Sequence, residues 1–292
     1  MRNLNLAARL CLGLAGLLWA AGAHAQGATD YPRIRAVTAF VTLGKDDYAA
    51  RLDEAAKFLA TAKTALNQAG FGGAGGRVTT NPFPQYTKGL KREEALALIA
   101  SLKQIAGQDK VSLNLGPAML NDDDDASGAD LLPAILADNK AYASLIVADD
   151  KGMHWRAIKV AAHAVRETAM TSPNGNGNFM FATIAMMKPY GPYYPGSWHN
   201  GPGKHFAIAM ETANVVNEVF AKYHDPVQAQ AALTEELSRY TKEAEAVALK
   251  VAAATGWTYE GDRRHPGSGR AILHRHRLRI LPRRAHRQAT AR

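Results

Sequence analysis

The chain has 292 residues, 47% hydrophobic and 21% charged, a balance that excludes disorder along its whole length and fits one large domain or two ordinary ones. Thirty-five Lys and Arg against 26 Asp and Glu give a net charge of +9, which taken alone suggests an anionic partner such as nucleic acid or a membrane surface. The distribution removes that reading. Residues 262–292 hold ten Arg and one acid, the first 25 residues add Arg2 and Arg9, and residues 26–261 hold 23 basic against 25 acidic residues. The body is slightly acidic, so nucleic acid is not an expected partner.

At the N-terminus, Arg2 and Arg9 precede an apolar run over 10–23, and Ala23-His24-Ala25 follows before Gln26. Basic, apolar and small-residue segments in this order predict a signal peptide over 1–25 and export to the periplasm or medium. The run is too short to span a bilayer comfortably, and cleavage leaves no stable membrane anchor. The single cysteine, Cys11, leaves with the leader, so the exported chain has no disulfide, no Cys–metal site and no thiol nucleophile.

The body, residues 26–261, alternates strand and helix patterns. IRAVTAFVTL (34–43) is apolar on both pleat faces, which predicts a central strand covered by helices on two sides. Residues 47–69 carry apolar positions at helical spacing and end at Gly70. Strands are then predicted at 77–83, 111–119, 143–149, 178–187 and 206–211, and helices at 91–107, 129–140, 152–171, 212–223 and 226–255; WTYEG closes the body. Regular alternation predicts an α/β fold with a largely parallel sheet, open or closed as a barrel. Chemistry in such folds gathers where strands end, which draws attention to the Asn81-Pro82-Phe83-Pro84 turn, Gly116-Pro117, Asp149-Asp150 and the loop at 188–205.

Beyond the body, residues 262–292 use Arg ten times and Lys never, with four His and no aromatic residue. This break is the composition of a GC-rich gene read out of frame, and the tail is expected to be foreign to the fold and disordered. The alternative is an authentic Arg-rich arm for anionic surfaces.

Several motifs invite chemistry that their context does not support. Residues 70–75 spell G-x-G-x-x-G, but a predicted helix precedes and a strand follows, the reverse of what a pyrophosphate needs. Residues 121–128, NDDDDASG, match half a calcium loop, yet the twelfth position is Ala134 rather than a bidentate carboxylate. His154 and His163 share a predicted helix without a metal-binding frame. No metal and no cofactor is expected.

The informative segment is residues 189–205, PYGPYYPGSWHNGPGKH. Its prolines, glycines and aromatics make a stiff loop that presents apolar and polar groups together, as a small-molecule pocket does. His199 is a candidate general acid/base and Glu211 a second proton carrier. Arg77 and Lys204 could hold an anionic group, with Asn178, Trp198 and Asn200 completing the substrate contacts. A rigid structural loop is the competing reading.

RIRAVTAFV, GRVTTNPFP, NFMFATIAM and PYYPGSWHNGPGKHFAIAMETA, in this order, resemble the family catalogued as domain of unknown function 711, over about 34–261. That family has no established activity and is structurally similar to the ten-stranded barrel of the glycyl-radical enzymes, so the resemblance implies a barrel, here incomplete. Family members continue past the point where this chain turns Arg-rich, which by resemblance also points to a frameshift. Radical relay needs a thiol that the mature chain lacks. The expected function is acid/base action on, or binding of, a small polar molecule. Alternatives are a non-catalytic periplasmic binding or interaction protein and a non-functional truncated product. The sequence does not give the oligomeric state.

Overall fold

The structure, a computed structural model, describes residues 31–262. The predicted signal peptide at 1–25 and all of the Arg-rich segment except Asp262 lie outside the described residues.

The chain begins with strand β1 (Arg33–Val41), helix α1 (Tyr48–Gln68) and β2 (Gly75–Thr80). After a short α2 (Pro84–Thr87) come α3 (Arg92–Gln108), β3 (Ser112–Pro117), α4 (Leu132–Leu136) and β4 (Tyr142–Asp149). A two-residue β5 (Gly152–Met153) leads to α5 (Trp155–Thr171), β6 (Phe181–Ala185), β7 (Lys204–Glu211), α6 (Ala213–Lys222), α7 (Pro226–Thr255) and β8 (Thr258–Tyr259). The eight strands form one sheet in the order β5-β4-β3-β2-β1-β7-β8, with β6 also paired to β4. Neighbours along β1, β2, β3, β4 and β6 are parallel, β7 is antiparallel to β1, and β8 is parallel to β7. The fold is thus α/β with a mostly parallel sheet, as the alternation predicts, and the sheet is not closed into a barrel.

Strand order decides which face the helices take. From β1 to β6 each new parallel strand is added on the same side of the last, and right-handed crossovers then put every connecting helix on one face. On β1 that face carries Val37, Ala39 and Val41, which share one core with Leu52, Leu59 and Phe58 of α1, Ile99 and Leu102 of α3, and Leu113, Leu115 and Leu145 of the sheet. The opposite face of β1 carries Thr38 and Phe40, which are also fully buried. What covers them is not a second helical layer, as expected from the two-sided apolar pattern, but the connection between β6 and β7.

Local departures have local causes. Strand β2 stops at Thr80 because Pro82 and Pro84 have no N–H for a ladder. Asn81 seals the end by accepting from Leu43 N (2.9 Å) and donating to Gln85 (2.9 Å). Strand β6 starts three residues later than predicted, because Asn174 and Gly175 take positive φ within a 3-10 stretch, Pro173–Met180. Asp149 and Asp150 turn into the β4–β5 hairpin, so α5 begins at Trp155 rather than 152. Residues 70–75 connect α1 to β2, with Gly72 O accepting from Ile34 N.

Candidate functional site

The chain leaves β6 at one edge of the sheet and must reach β7, beyond β1. At about 4.8 Å per strand this path crosses some 24 Å of sheet. The helices occupy one face, so residues 186–203 run over the other. The loop is tied down by side chains of the strands it crosses. Thr38 Oγ1 (3.2 Å) and Arg77 Nη1 (3.0 Å) both donate to Pro192 O, Asn114 Nδ2 to Ser197 O (2.6 Å), and Thr42 Oγ1 to Gly201 O (3.0 Å). In return Tyr194 donates its hydroxyl to Val78 O (2.6 Å) and Ser112 O (3.1 Å), and His199 N donates to Thr80 O (3.1 Å). Inside the loop, Tyr190 N bonds Trp198 O and the Tyr190 hydroxyl bonds Asn200 O. Tyr190 does this from the left-handed region, φ 67°, a conformation that a side chain adopts only when its surroundings hold it there.

Where the loop descends to β7, three rings meet. Tyr190 and His199 lie 5.4 Å apart between centroids, Tyr190 and His205 4.8 Å, and His199 and His205 5.3 Å; Phe40 closes the group against Tyr190. His205 is clamped at both nitrogens, Nδ1 2.5 Å from Glu260 Oε1 and Nε2 2.9 Å from Pro202 O. The two contacts fix the plane of the ring from both sides. Gly203 permits this approach: at φ 99° a Cβ there would lie 2.9 Å from His205 Nε2. His199 differs. It is completely buried, and neither ring nitrogen makes a hydrogen bond of normal geometry, the backbone of Gly201 being the polar group nearest to one. Burial pushes its pKa down to about 4, His205 adds to the depression, and the backbone of Gly201 opposes it. His199 is therefore a neutral imidazole at pH 7, held beside the His205–Glu260 pair.

The other sequence-predicted residues divide. Arg77 lies under the loop, stacked 4.7 Å over Tyr194 and bonded to a carbonyl rather than a carboxylate. Trp198 is buried with Ile146, Ile184 and Leu120, and Asn200 sits exposed at the loop surface with its carbonyl holding Tyr190. Lys204 adjoins the ring cluster in sequence but turns to the helical face, where it bonds Glu54 of α1 (2.7 Å). Glu211 is six residues from His205 on one strand, about 20 Å away. It pairs in register with Arg33 and lies 3.9 Å from Arg35, so the structure does not bring it to His199. Asn178 donates to Val165 O before β6 begins, at the opposite end of the strands from His199, and is not part of this site.

Glu260, His205 and Tyr190 are the members that sequence reasoning did not select. His205 and Tyr190 stand in the loop that did draw attention. Glu260 is 55 residues from His205 and meets it only because β8 pairs with β7, with Thr258 opposite His205.

Two other regions have plainer chemistry. Asp122 caps α5 by accepting from Arg156 N and Ala157 N, Asp124 accepts from Leu120 N, and Asp125 from Ser127 N. His154 is buried 3.4 Å from Asp149, and His163 is exposed. A cleft of about 530 Å³ opens beyond β2 and β3, between Lys88 and Arg92 on one side and Asp124, Asp125 and Asp130 on the other. No member of the ring cluster lines it.

No curated protein matches this chain. A family model described as "Uncharacterised ACR (DUF711)" matches residues 28–261, and a match over so much of its length means that the chain belongs to that family.

Proposed function

We infer that the protein is exported and acts on a small polar, anionic molecule by acid/base chemistry, with His199 as the proton carrier. One observation carries this reading: a fully buried histidine whose ring nitrogens make no hydrogen bond of normal geometry, packed against the His205–Glu260 pair under a loop held by polar side chains. Buried polar groups are normally satisfied, and one left open within a polar cluster is where a ligand would bond.

A base must be unprotonated to work, and His199 meets that condition at any pH well above 4. In the closed arrangement it is a weak base. Lifting the loop would rehydrate the ring and return its pKa toward 6.5, where proton transfer at neutral pH is most effective. Arg77 and Thr38 already converge on one oxygen, Pro192 O. A carboxylate of the ligand would take that position as the loop gives way, a charge-assisted contact stronger than the carbonyl it replaces. His205, fixed by Glu260, would steady negative charge that develops beside His199. Export rests on the order of residues in the leader; among the described residues no helix is long and apolar enough to cross a membrane. With Cys11 removed, no thiol remains for radical relay.

The test screens the full-length protein against a panel of small mono- and dicarboxylic acids, reading melting temperature for binding and proton NMR for consumption. The expected result is an acid that raises the melting temperature of both wild type and His199→Gln but is consumed only by wild type. Binding to both without consumption by either would overturn the catalytic reading. It would favour a non-catalytic binding protein, which the complete closure of the loop over His199 also suits.

A further inference from the structure

Six of the large hydrophobic residues exposed among the described residues lie between 155 and 187, on α5 and around β6. Trp155 and Met170 mark the two ends of α5, Val165 lies between them, Phe179 precedes β6, and Met186 and Met187 follow it. Between α5 and the sheet, Ile158, Val165 and Thr183 line a groove of about 400 Å³, and among the described residues no helix covers β6 as α1 covers β1. With about 200 Å² for a residue of this size, exposures from 39% to 80% put on the order of 700 Å² of mainly apolar surface here. That approaches one partner's share of a standard interface, about 800 Å².

The edge itself is undefended. Soluble proteins blunt edge strands with charge or proline, yet residues 178–187, NFMFATIAMM, contain neither. The same stretch is self-complementary about its centre. If two copies meet antiparallel across a two-fold axis at Thr183, Phe181 faces Ala185 and Ala182 faces Ile184 of the other copy, while Phe179 and Met187 flank the paired strands. Every cross-strand pair is apolar, threonine meets threonine at the axis, and no like charges oppose each other. A foreign partner would need some matching charge or shape, and this segment offers none.

We propose that the β6 edge is a homodimer interface, at which β6 of two chains pairs antiparallel and the flanking α5 and Met186–Met187 surfaces close the apolar groove. The test is sedimentation velocity on the full chain from 1 to 100 μM. Wild type is expected to sediment as a dimer. Thr183→Lys, which sets two ammonium groups at the axis, is expected to weaken association at least 100-fold while far-UV circular dichroism stays unchanged. Phe220→Glu, on the exposed face of α6, is expected to remain dimeric. If Thr183→Lys does not fold, Phe179→Glu, at a position 80% exposed, takes its place. A wild-type monomer throughout the range overturns the proposal, whether the patch is bare or covered by other residues of the same chain. So does a dimer that survives both edge substitutions, or assembly that grows without closing at two.

Discussion

His199 carries the sharpest consequence of single-residue chemistry here. Its folded pKa, about 4, lies below the 6.5 of an unperturbed histidine, so between these values the unfolded chain binds a proton that the folded chain refuses. The sign follows: the stability present above pH 6.5 is lost as pH falls toward 4. At 1.36 kcal/mol per pH unit the loss is on the order of 3 kcal/mol. Urea unfolding at pH 7, 5.5 and 4 should show wild type losing about that much more than His199→Gln, which cannot take the proton. Parallel losses in the two proteins would mean that His199 is not held neutral. Gly203 is the second decisive residue. Alanine there would need φ 99° and would place its Cβ 2.9 Å from His205 Nε2, so Gly203→Ala should cost about 2 kcal/mol and disturb the ring cluster. The change in melting temperature measures the first effect. Histidine ring shifts by NMR measure the second.

At the scale of elements, the loop at 186–203 depends on a few side-chain bonds rather than on secondary structure of its own. Asn114 is buried and donates to Ser197 O, so Asn114→Ala leaves that carbonyl unsatisfied and should cost about 1–2 kcal/mol. Most of that cost falls on the loop, so limited chymotrypsin digestion should cut near the exposed Tyr193 faster than in wild type, while cleavage in the helices is unchanged. An equal rise at all sites would place the loss in the whole fold. The elements themselves were largely legible. Periodicity marked β1, α1, α3, β4 and α7 within a few residues, because each puts a clean apolar face against one core. The loop was legible as a stiff aromatic segment, but its place was not. Nothing in residues 189–205 states that β7 pairs with β1, and that pairing alone drives the loop across the sheet face and delivers His205 beside His199. Glu211 shows the same limit from the other side: adjacent in sequence to the candidate loop, it is carried away from it by an extended strand.

For the whole molecule, the sheet has two unlike edges. At β6 apolar side chains face outward, whereas at β8 the chain is anchored inward through Trp257, which is 4% exposed and stacked on Phe58 of α1 at 4.0 Å with 14° between the planes. Phe58 also meets Phe206 of β7, so three elements share one aromatic contact and β8 holds its place beside β7, keeping Glu260 within reach of His205. Trp257→Ala should therefore act twice. It removes a buried aromatic side chain, for a loss of about 3–5 kcal/mol, and it releases the segment that fixes the His205 ring. Trp155, 63% exposed at the other edge, provides the contrast, since Trp155→Ala removes little buried surface and should stay within about 0.5 kcal/mol of wild type. Chemical denaturation of the two variants, with His205 followed by NMR, separates these roles. A Trp257→Ala protein that lost stability while His205 kept its wild-type environment would show that β8 needs the tryptophan to fold but not to position Glu260.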